Sequence, residues 1–250
     1  MRWPFLDVDP PFGIAHRGGV GAAPENTEAA FAHARELGYR YLETDVHLTS
    51  DGELVAFHDG ELERVAGLPG HIGDHTWSEL SGIELEGGHH IPRLVDLLDT
   101  FPDARFNIDP KTDDAVQPLV DVIRACGAIG RVCIGSFSDE RIARVREALG
   151  PELCTSPGPR GVAKILLAAV FRPGWRPPNG CVQIPPSAWG LPLTSPWFIR
   201  RVHRLGLQVH YWTVNDRDEM NRLLDRGADA IITDETEVLR DVLTQRGARV

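Results

Sequence analysis

Glu43 and Asp45 stand two residues apart in the run Tyr41 to Leu48, and two residues is the repeat of a β-strand, so both side chains project from one face. Two carboxylates in one small volume repel. The pKa of one must rise unless a cation is held between them or a basic side chain neutralises them, and a divalent ion is the economical solution. Downstream, Asp51-Gly52 is a pair favoured in two-residue hairpin turns and is flanked by alternating residues. With that turn, Ser50 pairs with Glu53 and Asp45 lies opposite His58, the two Cβ atoms about 5 Å apart. Asp109 and Lys111 share a face if the chain stays extended, which Pro110 favours in the residue before it. A proline there also suits the frayed carboxyl end of a strand. His16-Arg17-Gly18-Gly19 closes another apolar run and is followed by Pro24-Glu25-Asn26-Thr27. Arginine offers a planar fork for phosphate oxygens, and glycine lets backbone approach closely.

The inventory suits attack on an anionic phosphoester: imidazoles that exchange protons near neutrality, cations that neutralise the phosphate, and carboxylates for a hard metal ion. Each residue taken alone has a plainer reading. A lone histidine is usually a hydrogen-bonded structural one, and Glu43 with Arg17 or Lys111 could form a buried ion-pair network. Glu25 could simply favour the positive start of a helix. Asn215, before Asp216 and a helical run, is a good N-cap on its own account. Trp212, at a strand end, could line a pocket or be core.

What must position these residues is an alternation of short strand-like and longer helix-like runs, the pattern of a parallel sheet with crossover helices. Eight strands are expected, at Phe12 to His16, Tyr41 to Leu48, Arg105 to Asp109, Arg131 to Ser136, Leu153 to Ser156, Cys181 to Ile184, Gln208 to Val214 and Ala230 to Thr233. Helices are expected at Thr27 to Leu37, Arg93 to Thr100, Ala115 to Cys126, Asp139 to Leu149, Trp197 to Leu205, Asp216 to Arg226 and Thr236 to Arg246. Gly38, Gly127, Gly150, Gly206 and Gly227 each follow such a run, where a left-handed residue would end the helix. Eight strands in 250 residues make a single-domain (β/α)8 TIM barrel, whose chemistry sits at the carboxyl ends of its strands. Two stretches break the rhythm. Residues 60–91 read as an elaborated loop after the second strand, with a short helix around Trp77 to Leu80. Residues 157–197, rich in proline, glycine and tryptophan with Arg160, Lys164, Arg172 and Arg176 around an apolar centre, read as an irregular loop with a short helix, or as a lid or interfacial patch in weak contact with a membrane surface.

A formal charge of −10 gives a long-range field of the wrong sign for nucleic acid or an anionic membrane, so an anionic substrate needs a local positive centre. The longest apolar run, Ile165 to Phe171, is far short of a membrane span, so no transmembrane segment is expected. Without an export signal, the expected location is the cytoplasm. Cys126, Cys133, Cys154 and Cys181 are too widely separated for a zinc motif or a small disulfide framework and read as buried free thiols.

Taken together, His16-Arg17-Gly18, Pro24 to Thr27, Glu43-x-Asp45, Asp51-Gly52, His58-Asp59, Trp212 to Asn215 and Gly227-Ala228-Asp229 to Thr233-Asp234 resemble, in order and spacing, the signature of the glycerophosphodiester phosphodiesterases over nearly the whole chain. The resemblance implies that Glu43 and Asp45 are metal ligands, with Asp109 a third where the family more often has glutamate. It implies that Glu25 lies near the metal, that His16 and His58 are general acid and base in an order left open, and that Arg17 and Lys111 hold the phosphate, with Trp212 and Asn215 beside it. The implied cofactor is a divalent cation, calcium or magnesium, in keeping with oxygen-only ligands. The implied reaction is hydrolysis of a glycerophosphodiester to sn-glycerol 3-phosphate and an alcohol. The alternatives are a lysophospholipase D-like enzyme whose substrate tail meets the region of Trp189 and Trp197, and a noncatalytic phosphodiester-binding protein.

Overall fold

The computed structural model describes residues 3–172, 174–188 and 190–250. Eight parallel strands form the barrel: β1 Phe12–His16, β2 Tyr41–Leu48, β3 Arg105–Pro110, β4 Val132–Ile134, β5 Cys154–Thr155, β6 Cys181–Ile184, β7 Gln208–Tyr211 and β8 Ala230–Thr233. Their hydrogen-bonded order is β5-β4-β3-β2-β1-β8-β7-β6. The remaining seam is bridged by the Gly180 N–H donating to the Thr155 carbonyl at 3.1 Å. Most strand residues are buried on both faces, because helices cover the outside and side chains fill the inside.

Eight helices follow the eight strands in turn: α1 Glu28–Glu36, α2 Leu94–Thr100, α3 Val116–Ala125, α4 Asp139–Leu149, α5 Pro159–Phe171, α6 Pro196–Arg204, α7 Arg217–Asp225 and α8 Thr236–Gln245. Side-chain caps start several of them, with Thr27, Ser138, Ser195 and Asp216 accepting from backbone N–H groups of the first turn. All five glycines expected to end helices have positive φ. Each helix turns an apolar stripe inward to one large core cluster with the outer faces of the strands.

Residues 157–197 are more regular than expected. They contain α5, thirteen residues long and opened by Pro159 in its first turn, where a missing N–H costs nothing. Residues 60–91 are elaborated as expected, with short helices at Glu63–Ala66 and Trp77–Leu80 over their own cluster of Val55, Phe57, Leu62, Ile72, Leu80, Leu85 and Ile91. At the amino end of the barrel, Trp3, Phe5 and Leu6 pack against Phe12, Tyr41, Cys133, Cys154 and Cys181. The Tyr41 hydroxyl donates to the Phe5 carbonyl at 2.6 Å. All four cysteines are free thiols, as expected. Their separation along the chain did not keep them apart, because Cys133, Cys154 and Cys181 sit on three successive strands with ligand atoms within 4.8 Å of one another. Among the described residues, no helix is long and apolar enough to cross a membrane.

Candidate active site

Strand register brings the chemistry together. His16 of β1 lies beside Glu43 of β2, and Asp45 of β2 lies beside Asp109 of β3. In parallel strands, neighbours in register share a face, so these side chains meet inside the carboxyl end of the barrel. Lys111 follows one residue beyond the end of β3 and bridges the two aspartates, its Nζ 2.6 Å from Asp45 Oδ1 and 2.8 Å from Asp109 Oδ2.

The turn after β2 corrects the expected hairpin. Thr49 N donates to Glu53 O around the three residues Ser50, Asp51 and Gly52, with Gly52 at φ +92°. The Thr49 hydroxyl donates to Asp51 Oδ1 and accepts from Glu53 N, which stabilises the wider loop over the two-residue turn. The ladder therefore runs one residue short of the expected register, and Phe57, not His58, lies opposite Asp45, donating its N–H to the Asp45 carbonyl at 3.0 Å. His58 still lines the cavity. Its Nδ1–H donates to Asp59 Oδ1 at 2.5 Å, and its carbonyl accepts from His47 Nε2 at 3.0 Å. Against the upward pull of burial, hydrogen bonds from Arg64 and His58 hold Asp59 at about 2.

Arg17 and Asn26 both adopt left-handed backbone, at φ 52° and 59°, which costs a non-glycine residue on the order of 1 kcal/mol. That geometry aims the Arg17 N–H at Glu43 Oε2, 3.1 Å away. It also lets Asn26 accept from Thr44 Oγ1 and donate to Asp45 Oδ2 at 3.4 Å. Gly18 and Gly19 are required here: a Cβ on Gly18 would lie 2.7 Å from Ala30 Cβ, and one on Gly19 would lie 2.6 Å from Thr236 Cγ2. The Arg17 guanidinium has its buried Nε 3.1 Å from Asp45 Oδ2, an ion pair without hydrogen-bond geometry.

Glu25, expected near the metal, is paired with guanidinium groups. It does not line the cavity, and both its oxygens accept from guanidinium groups, Oε1 from Arg17 and Arg64 and Oε2 from Arg64. The Arg17 Nη1 to Glu25 Oε1 contact is 3.0 Å. Asp216, not Asn215, caps α7, and Asn215 is not among the residues that line the cavity. Asn215 donates Nδ2 to Asp234 Oδ2 at 2.8 Å while its Oδ1 accepts from the Thr233 hydroxyl and the Asp234 N–H. Asp234 in turn accepts from His16 Nδ1 at 2.6 Å, leaving His16 Nε2 3.8 Å from Glu43 Oε2. No role for Asp234 or Asn26 was read from sequence. The available signals were the short polar clusters that contain them, at the end of a strand and the start of a helix.

Burial pulls the His16 pKa down, but the Glu43 and Asp234 carboxylates outweigh it, and the net shift is upward. Burial and then the neighbouring Asp45 charge push Glu43 up to about 7. Asp45 is also buried, yet Lys111 and Arg17 hold it below the usual carboxylate range. Burial raises Asp109 despite Lys111. Lys111 itself is raised, burial being outweighed by the two aspartates.

The donor set tests whether a divalent cation suits this place. Glu43, Asp45 and Asp109 offer hard oxygens, Asp109 Oδ1 is buried with no hydrogen-bond partner, and Glu43 carries the upward shift of a buried like-charged neighbour. These features fit calcium or magnesium. The three carboxylates are not a closed cage, however: among the described residues only the cysteine trio gathers three ligand atoms within 4.8 Å. Lys111 supplies the positive charge between Asp45 and Asp109.

The site opens into a cavity of about 370 Å³. His16, Arg17, Glu43, Asp45, His58, Asp109 and Lys111 form its polar wall; Phe137, Pro157, Pro159, Val162, Ile184, Leu193 and Trp212 form an apolar one. Trp212 thus lines the pocket, with Phe137 packed edge-on at a ring distance of 5.7 Å. Trp189, expected in lipid contact, lies outside the described residues.

Residues 16–149 and 178–238 match the model of the Glycerophosphoryl diester phosphodiesterase family. The chain is 42% identical over 243 residues to a Mycobacterium tuberculosis protein named "Probable glycerophosphodiester phosphodiesterase 2", covering 94% of this chain and 91% of that one. It is 30% identical over 255 residues to a glycerophosphodiester phosphodiesterase of Caldanaerobacter subterraneus subsp. tengcongensis, covering 94% and 98%. Its fold matches a solved Oleispira antarctica phosphodiesterase in complex with the product sn-glycerol-3-phosphate, with TM-score 0.75, 22% identity, and coverage of 94% of this chain and 97% of that one.

Proposed function

The chain belongs to the glycerophosphoryl diester phosphodiesterase family, and from that premise we propose that it hydrolyses glycerophosphodiesters to sn-glycerol 3-phosphate and an alcohol, using His16 and His58 as acid and base and a calcium or magnesium ion held by Glu43, Asp45 and Asp109. The observation that carries this reading is the meeting of two imidazoles, two cations and three carboxylates in one cavity at the carboxyl ends of the barrel strands.

A phosphodiester anion repels an incoming nucleophile until its charge is neutralised. Arg17 and Lys111, both lining the cavity, supply that positive charge. Glu25 and Asp45 hold the guanidinium, and Asp45 and Asp109 hold the ammonium. When bound, the divalent ion supplies Lewis-acid polarisation of the phosphoryl oxygens. One imidazole takes the proton from the attacking water, or from the adjacent glycerol hydroxyl where a cyclic phosphate forms first and water then opens it, as the new phosphorus–oxygen bond forms. The other gives a proton to the departing alkoxide as the old bond breaks. His16 suits the acid role, because Glu43 and Asp234 favour its protonated form and its Nδ1 is tied to Asp234, leaving Nε2 to face the cavity. His58, fixed through Nδ1 by Asp59, is the base.

The test is turnover by the purified chain on glycerophosphodiesters with different alcohols, with sn-glycerol 3-phosphate measured enzymatically, in excess chelator and after calcium or magnesium is restored. Release of glycerol in place of sn-glycerol 3-phosphate would sink the reaction assignment, and full turnover in chelator would sink the metal. The apolar wall of Phe137, Val162, Ile184, Leu193 and Trp212 favours a second reading, a lysophospholipase D-like activity with the acyl tail on that wall. A strong preference for lysophosphatidylcholine over glycerophosphocholine in the same assay selects it.

A further inference from the structure

Charge is segregated along this chain. Between residues 153 and 215 there is no aspartate or glutamate, but there are seven lysines and arginines, in a protein of formal charge −10. These residues build one sector of the barrel, from β5 through α5, β6 and α6 to β7, in which α5 and α6 pack against each other. Arg160, Lys164, Arg172 and Arg176 are all exposed on and just beyond α5. Among the described residues, only Arg160 of these four is ion-paired to a carboxylate, Glu140 at 3.4 Å, and both members of that pair are exposed. The catalytic site uses none of these cations.

The same surface carries apolar side chains in water. Leu167 is 62% exposed, Phe171 74% and Trp197 50%, and Val170 and Trp175 are exposed as well. Of the eight exposed large apolar side chains among the described residues, five fall in this sector. Arg160, Lys164, Leu167 and Phe171 are spaced by four, three and four residues, so they form one outward stripe on α5. A stripe mixing cations with bulky apolar and aromatic groups is the composition of a helix that lies in a membrane interface.

We propose that the outer face of α5, with the adjoining Trp175 and Trp197, docks this protein reversibly on the surface of a bilayer rich in anionic lipids. Complementarity of charge picks out this occupant. A second copy meeting the same face across a two-fold axis would set Lys164, Arg172 and Arg176 against their own equivalents, a like-charge contact with no carboxylate in the sector to relieve it. The face is a convex helix ridge, which suits insertion between headgroups. The overall negative charge repels the rest of the barrel from the same surface and so orients the protein on it. The amino end of α5 borders the catalytic cavity through Pro159 and Val162, so docking sets the cavity mouth close to the lipid plane. This consequence rests on the proposed function: a glycerophosphodiester is what remains when a phospholipid loses its acyl chains, a deacylation that takes place at a membrane.

The test is co-sedimentation of the full chain with vesicles of phosphatidylcholine alone and with about one-third phosphatidylglycerol added, where each cation near the surface contributes about a fivefold change in partitioning. Binding is expected to the anionic vesicles only and to be reversed by high salt. The charge reversals Lys164→Glu and Arg172→Glu together lower partitioning by more than tenfold, and Phe171→Ser with Trp175→Ser weakens it independently. Turnover of soluble glycerophosphocholine stays at the wild-type level in every variant, and thermal unfolding confirms that each is folded. Equal sedimentation with neutral and anionic vesicles overturns the proposal, as does no loss on charge reversal. So does a concentration-dependent dimer, abolished by Phe171→Ser, in a protein that ignores vesicles. Vesicle binding is read without turnover, so a chain that binds but does not hydrolyse defeats the proposed function and leaves the docking intact.

Discussion

Replacing Asp234 by asparagine isolates the contact on which the acid role of His16 depends. One Asp234 oxygen accepts from His16 Nδ1 at 2.6 Å and the other accepts from Asn215 Nδ2 at 2.8 Å. An amide has a single acceptor oxygen, so Asp234→Asn must turn an N–H toward one of these two donors. Asn215 cannot flip to relieve the clash without giving up the two bonds its Oδ1 accepts, from the Thr233 hydroxyl and the Asp234 N–H. Hydrogen bonds to charged groups contribute roughly 1.5–3 kcal/mol. The lower end applies here because Asp234 is partly exposed, and at about 1.4 kcal/mol per factor of ten the loss is about tenfold or somewhat more in rate. Asp234 does not line the cavity, so the loss falls on kcat and spares KM. The pH dependence has a definite sign. In the native protein His16 is raised and keeps its proton to higher pH; with the carboxylate gone it releases the proton sooner, and the alkaline limb of kcat moves to lower pH. Initial rates of sn-glycerol 3-phosphate release across pH measure both effects. An unchanged alkaline limb with normal kcat would refute the argument, and a rise in KM alone would place Asp234 in substrate binding instead.

Glu43→Gln separates stability from catalysis. The folded-state pKa of Glu43, about 7, lies above its ordinary value of 4.5, so its contribution to stability is full below about 4.5 and is lost as pH rises to about 7. In chelator at pH 8 the variant therefore melts no lower than the native protein, while with calcium or magnesium restored its turnover is lower than native by about a hundredfold or more; a lower melting temperature counts against the buried charge. Added calcium or magnesium is expected to raise the native melting temperature more at pH 8 than at pH 5, and to do so less in Glu43→Gln; equal shifts in both proteins would remove Glu43 from the ligand set. Lys111→Met leaves Asp45 and Asp109 buried without their ammonium and costs roughly 3 kcal/mol in urea unfolding; an unchanged midpoint would show that the aspartates are neutral. In the native state only Cys126 should react with a thiol reagent, the other three cysteines requiring unfolding; rapid labelling of a second thiol would contradict the packing at the foot of the barrel.

The short strand-like runs and the amphipathic stretches ending in glycine were legible one element at a time, because strand and helix are set by neighbours along the chain. Strand and helix ends therefore fell within a few residues of expectation. The stretch 157–197 misled because proline at its start and apolar residues on several helix faces hide the amphipathic signal that marks α5. The hairpin register misled because a threonine hydroxyl widened the loop by one residue, an energy difference smaller than the Asp51-Gly52 pattern suggests.

By itself, the sequence determined which residues could do chemistry, that Glu43 and Asp45 share a face, and the order in which eight strand-and-helix units follow one another, since all of these depend on neighbours along the chain. Only the tertiary structure decided which charges meet. Barrel closure brings Asp234, 218 residues away in the chain, onto His16, loop packing gives Glu25 to two arginines, the pairing of β7 with β8 sets Asn215 against Asp234, and β4, β5 and β6 gather three distant thiols. A side chain's role follows from the partners around it in space, and those partners are fixed when the last strand pairs with the first.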